Sequence, residues 1–118
     1  MTTKEIGNFG EDMACRYLES KGMQIIKRNF YAKSGEIDII AREGDALVFC
    51  EVKTRLSADY GRASEFVDYR KQDKIRKTAL YYTMQDDIDM RFDVIEVYYR
   101  TAGDCLAVDK VNHIEDAF

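Results

Sequence analysis

Residues 36–53 read EIDIIAREGDALVFCEVK, two alternating runs flanking a Gly-Asp pair. Gly-Asp at the centre of a two-residue loop predicts a β-hairpin, and a loop of that length fixes which residues face one another. Glu43 then opposes Ala46, Ile40 opposes Phe49, Asp38 opposes Glu51 and Glu36 opposes Lys53. Opposed side chains share a face. Glu36, Asp38, Glu51 and Lys53 are thus expected on one face at the open end of the hairpin. Ile37, Ile39, Ala41, Val48, Cys50 and Val52 are expected on the other, as core. Centring the loop on Glu43-Gly44 keeps this parity and slides the partners by two, whereas a three-residue loop breaks it.

The rest of the pattern builds one fold around this hairpin. Ile6, Phe9, Gly10, Met13, Ala14, Tyr17 and Leu18 predict a helix over about 3–21, capped by Thr2 or Thr3 and closed by Gly22. Strands are predicted over 23–32, 36–43, 46–55, 91–100 and 105–111, with a loop through Ser57–Gly61. A second helix is predicted over about 68–84, with Asp68 as its cap and Ile75, Thr78, Ala79 and Tyr82 on one face. The order α-β-β-β-α-β-β implies an α/β (α+β) class with one mixed five-stranded sheet and flanking helices. At 118 residues the chain is the size of a single domain, 1–118.

Composition narrows the function. The chain has 46% hydrophobic and 34% charged residues, which is globular and not disordered. No apolar run is long enough for a membrane span, and the N-terminus lacks the apolar block of a signal peptide. Cys15, Cys50 and Cys105 have neither CxxC spacing nor histidine company beyond His113, so zinc and disulfide frameworks are disfavoured and a cytoplasmic location is expected. His113 itself is expected to be structural. The net charge of −4 argues against non-specific coating of nucleic acid. Charge is nevertheless segregated: residues 53–77 carry eight basic and four acidic side chains, and residues 86–118 carry three basic and nine acidic. The basic stretch reads either as a solvated helix face or as a wall beside a polyanion site.

The hairpin decides between them. Two carboxylates about 5 Å apart at an effective dielectric near 20 repel by roughly 3 kcal/mol. Such a pair needs a proton or a cation between its members, and oxygen donors suit Mg²⁺ or Mn²⁺. Lys53, on the same face, either neutralises its neighbours or reaches the same substrate.

GEIDIIA followed by LVFCEVKTR resembles the signature of the PD-(D/E)xK nuclease superfamily. GNFGEDMACRYLESKG, the Lys71–Tyr82 helix, RFDVIEV and the closing HIEDAF extend the likeness over nearly the whole chain, to the small YraN-like proteins related to Holliday junction resolvases. The resemblance implies a restriction-endonuclease-like domain and a metal-dependent nuclease acting on DNA, structured or branched forms included. It makes Asp38, Glu51, the Val52 carbonyl and Glu11 the metal ligands, with Lys53 orienting water and stabilising the phosphate. Glu11 lies at the border of the helix's apolar face, where an ordinary surface glutamate is the other reading. Thr54, Arg55, Lys71 and Glu36 become substrate contacts, although the Lys71 stem is equally able to pack on the core. Family members commonly carry a proline before the second helix, and this chain has none. The alternative is a non-catalytic nucleic-acid-binding or protein-interaction module on the same fold. A homodimer is expected, with Val97, Tyr99, Leu106 and Phe118 as its contacts.

Overall fold

The computed structural model describes residues 1–60, 67–84 and 87–118. Its elements are α1 (Thr3–Ser20), β1 (Gln24–Ala32), β2 (Gly35–Glu43), β3 (Ala46–Leu56), α2 (Tyr69–Thr83), β4 (Met90–Ala102) and β5 (Cys105–Ile114). The order is the one expected. The loop expected over Ser57–Gly61 begins as a 3-10 turn, Ser57–Asp59, and Gly61 falls outside the described residues, as does Arg62 of the basic stretch.

The five strands form one sheet in the order β1-β2-β3-β4-β5. β3 and β4 run parallel, and the other neighbours are antiparallel. The sheet is therefore mixed, and α2 is the crossover its parallel seam requires.

Each helix has a local reason to form. The Thr2 hydroxyl accepts the Glu5 amide at 3.1 Å while the Glu5 side chain reaches back to Thr2, a capping box for α1. Gly22, at φ 88, takes the left-handed turn out of that helix. Asp68 accepts the Lys71 amide at 2.9 Å and starts α2.

The helices cover opposite faces of the sheet. Ala14 and Leu18 of α1 pack with Ile39, Ala41, Val48, Cys50, Ile95 and Val97. Ile75 and Ala79 of α2 pack with Ile37, Ile40, Phe49 and Val94. Each of these larger side chains contributes roughly 1.5–3 kcal/mol on burial. α1 crosses β3 so closely that a Cβ on Gly10 would lie 1.9 Å from Thr54 Oγ1, so only glycine fits there.

The expected partner surface is corrected by this packing. Val97 is fully buried and Tyr99 nearly so, because β4 is covered on both faces. Phe118 is also engaged: it stacks on Phe92 at 5.4 Å and carries the Arg76 guanidinium over its ring. Leu106 alone of the four is neither buried nor part of a core cluster.

His113 is part of the framework. Its Nε2 lies 2.7 Å from Asp93 Oδ2, and Asp93 also takes two hydrogen bonds from Arg91 and one from the Asp116 amide. Burial pushes the Asp93 carboxyl up, but the bonds from His113, Arg91 and Asp116 outweigh it and hold the pKa down to about 2. This network clamps the C-terminal residues against β4.

Candidate functional site

The β2–β3 ladder runs from Glu43–Ala46 through Ile40–Phe49 to Ile39–Cys50 and stops there. This is the register expected from the Gly44-Asp45 loop. Beyond Cys50 the strands part, and the Val52 amide donates to Asp38 Oδ2 at 2.8 Å. In the alternation of an antiparallel ladder, that amide would belong to the Ile37 carbonyl. Asp38 thus fills a backbone position with its side chain.

The cause lies one strand further out. Arg28 pairs with Ile39 and Phe30 with Ile37, while Asn29 between them adopts φ 52. Arg28 meets Glu11 and Asp12 of α1, whereas Phe30 packs under α2, so the face alternation resets at this point. Ile37 is carried with it. It was expected beside Ile39, and it packs instead with Ile40 and Phe49 against α2.

Glu51 is buried, and two ammonium groups converge on its Oε1: Lys71 at 2.5 Å and Lys53 at 3.8 Å. An open cleft of about 380 Å³ lies between the strands and α2. Glu36, Asp38 and Glu51 form its sheet side, and Arg70, Lys71 and Lys74 its helix side. The positive end of α2 adds to those cations.

The electrostatics follow from burial. Desolvation, then the Glu51 charge, push Asp38 up to about 7 against the opposing Val52 hydrogen bond. Partial burial pulls the Lys71 ammonium down, but its bond to Glu51 and the fields of Glu51 and Asp38 outweigh this and raise it. Burial also raises Glu11, with Glu36 adding to the effect. Glu11 Oε1 is buried without a hydrogen-bond partner, since the Arg28 guanidinium at 3.6 Å is too far to donate.

Residues 10–97, which hold every charged side chain of this cleft, match the uncharacterised protein family UPF0102. The chain belongs to that family. A UPF0102 protein of Caldanaerobacter subterraneus subsp. tengcongensis is 46% identical over 118 residues, covering 98% of this chain and 95% of its own length. One of Clostridioides difficile is 43% identical over 121 residues, with both chains covered fully. One of Clostridium botulinum is 46% identical over 114 residues, covering 93% of each.

In this UPF0102 protein, Asp38, Glu51, Lys53 and Glu36 lie together at the open end of the hairpin, and Lys71 joins them from α2. Glu11 stands on the α1 side, within electrostatic reach of Asp38 and Glu36. Thr54 and Arg55 do not line the cleft. Thr54 lies under Gly10, and Arg55 Nε donates to Glu96 Oε2 at 3.1 Å across the β3–β4 seam. One residue at the site went unread in the sequence: Tyr31 pairs with Glu36, stays exposed, and has its phenol pushed up first by the Glu36 charge. The signal was available, since a two-residue turn at Lys33-Ser34, with Ala32 opposite Gly35, sets Tyr31 opposite Glu36.

The donors at the open ladder are hard oxygens. Val52's carbonyl points to the same side of β3 as its amide, toward Asp38. Among the described residues, no three His, Cys, Asp or Glu side chains form a ready metal-holding group. Two carboxylates and one carbonyl, with water completing the shell, fit Mg²⁺ or Mn²⁺. Among the described residues, Glu11 Oε1 is a buried acceptor with no hydrogen-bond donor.

Proposed function

We propose that this protein is a metal-dependent nuclease of the PD-(D/E)xK type, hydrolysing phosphodiester bonds of DNA, structured or branched DNA included. The observation that carries the reading is the convergence of Asp38, Glu51 and Lys53 at the open end of the ladder, facing the cationic wall of α2.

Asp38, Glu51 and the Val52 carbonyl are the groups that would hold Mg²⁺ or Mn²⁺. Bound there, the ion would supply Lewis-acid chemistry, polarising the phosphoryl group and making a bound water more acidic. The protein's own contribution is charge and aim. Lys53 brings an ammonium over the Glu51 oxygens and offers donors to a non-bridging phosphate oxygen. Lys71 sets an ammonium directly on the Glu51 Oε1. Arg70 and Lys74 lie where phosphates flanking the scissile bond would run, contacts that position the strand and carry little sequence information. Glu11 supplies a further acceptor at the rim. The three unpaired cysteines suit a reducing cytoplasm, and no helix is long and apolar enough to cross a membrane. A two-fold dimer would bring a second site to the opposite strand.

A second reading, a nucleic-acid-binding or protein-interaction module without catalysis, draws on Lys71, which already supplies Glu51 with a cation. Cleavage assays on duplex, single-stranded and branched substrates with Mg²⁺ and Mn²⁺ separate the two. Metal-dependent cleavage that Asp38→Asn abolishes is expected; binding without cleavage would replace the first reading with the second.

A further inference from the structure

A second opening adjoins the cleft, between the β1–β2 turn and the middle of α2. Its volume is about 590 Å³, and Ala32, Lys33, Ser34, Lys77 and Tyr81 line it. The partition is thin. Ser34 Oγ and Thr78 Oγ1 are 2.7 Å apart, and a Cβ on Gly35 would sit 3.6 Å from both Lys74 Cβ and Thr78 Oγ1. Gly35 and Lys74 line the cleft, while Ser34 and Lys77, one residue and one helical turn away, line the opening. The two lie side by side along α2, separated by that partition.

The chemistry of the outer opening is distinct. Tyr81 leans on Phe30, with ring centroids 6.4 Å apart, yet remains 64% exposed. Lys33 stands exposed at the turn. Lys77 is answered by Asp73 of its own helix at 3.0 Å, an exposed pair of little worth. No acidic side chain among the described residues lines this opening.

We propose that this opening is a binding subsite for an unpaired strand of nucleic acid, with a base on Tyr81 and its flanking phosphates on Lys33 and Lys77. The inference rests on the nuclease reading of the adjoining cleft. An exposed aromatic face between amines matches a base between phosphates. In a duplex the bases stack on one another and leave no free face for Tyr81. The substrate class is therefore nucleic acid with a single-stranded tail beside the cut, such as a flap, fork or branch. An acidic peptide would use the lysines and leave the ring idle.

The test is fluorescence anisotropy with a labelled oligonucleotide of about 12 nucleotides, single-stranded and as duplex. It is run in the Asp38→Asn background, so that nothing is cut. Tyr81→Ala is expected to weaken single-strand binding about tenfold and leave duplex binding unchanged, while Tyr81→Phe preserves both. Lys33→Gln with Lys77→Gln should weaken single-strand binding and flatten its salt dependence. Lys33→Glu, on an exposed turn, keeps the test open if Tyr81→Ala fails to fold. Unchanged single-strand affinity, or equal losses on both substrates, overturns the subsite. Duplex cleavage with Mn²⁺ is followed in parallel on chains that retain Asp38: if the subsite variants leave single-strand binding unchanged while cleavage persists, only the subsite assignment falls. If wild type neither binds nor cuts any form, the nuclease reading falls with it.

Discussion

The Asp38 carboxylate sits 2.8 Å from the Val52 amide, in the place of a ladder carbonyl. One oxygen thus completes the sheet, and the other remains for the cleft. Asparagine keeps the acceptor and alanine does not. Asp38→Ala should therefore be less stable than Asp38→Asn by about 1–3 kcal/mol in urea melts, the cost of a buried unpaired amide. Equal stabilities would mean that this bond contributes nothing.

Two carboxyls give the stability curve opposite slopes. Asp38, raised from 3.8 to about 7, holds its proton more tightly folded than unfolded. Stability should then fall as pH climbs from about 4 to 7, by up to about 4 kcal/mol. Asp93, lowered from 3.8 to about 2, contributes stability above its unfolded value that is lost as pH falls through that range. Thermal melts in chelator should show both limbs, and Asp38→Asn should remove only the upper one. An upper slope surviving in that variant would assign it to another group.

On the metal-dependent reading, Lys71 and a divalent ion would compete for Glu51. Lys71→Ala should lower stability in chelator by about 1 kcal/mol, a modest loss because the ammonium is half in solvent. The same change should tighten Mn²⁺ binding measured by calorimetry. Weaker Mn²⁺ binding would make Lys71 a support of the ion site and not its rival.

Lys53 should matter to cleavage alone. Lys53→Ala is expected to slow metal-dependent cleavage about a hundredfold or more, as loss of a charge-stabilising donor does, with Mn²⁺ affinity unchanged. Wild-type rates in the variant would point to a different group on the phosphate.

Gly10→Ala should destabilise by about 1–3 kcal/mol, since the added Cβ meets Thr54 Oγ1 at 1.9 Å. Thr54→Ala removes the hydroxyl and should recover part of that loss, making the pair non-additive in thermal melts. Additive effects would mean that α1 simply shifts.

The carboxylate pair was legible because any two-residue loop here keeps Asp38 and Glu51 on one face, and with Gly44-Asp45 as the loop Glu43–Ala46 leads to them by counting. The reset at Asn29 was not, since a single left-handed asparagine is decided by what packs on either side; Ile37 was misplaced for that reason. The Lys71–Glu51 bond depends on how the crossover helix lies, and spacing does not encode it. The burial of Val97 and Tyr99 had a readable sign. FDVIEVYY is nearly unbroken in apolar character, the mark of a strand covered on both faces.

The parallel seam between β3 and β4 also has a consequence for assembly. Every other strand pair is joined by a short turn, but Leu47 must find Met90 and Leu56 must find Tyr99 across the connection that holds α2. Distant pairings close slowly. The β1–β2–β3 meander can thus form first, bringing Asp38 beside Glu51 while α2 and Lys71 are still undocked. During that interval the two acids lack Lys71 and have only Lys53, protons or dissolved cations to offset them. Refolding followed by stopped flow should be faster at pH 5 than at pH 8 in chelator, and Asp38→Asn should erase the difference.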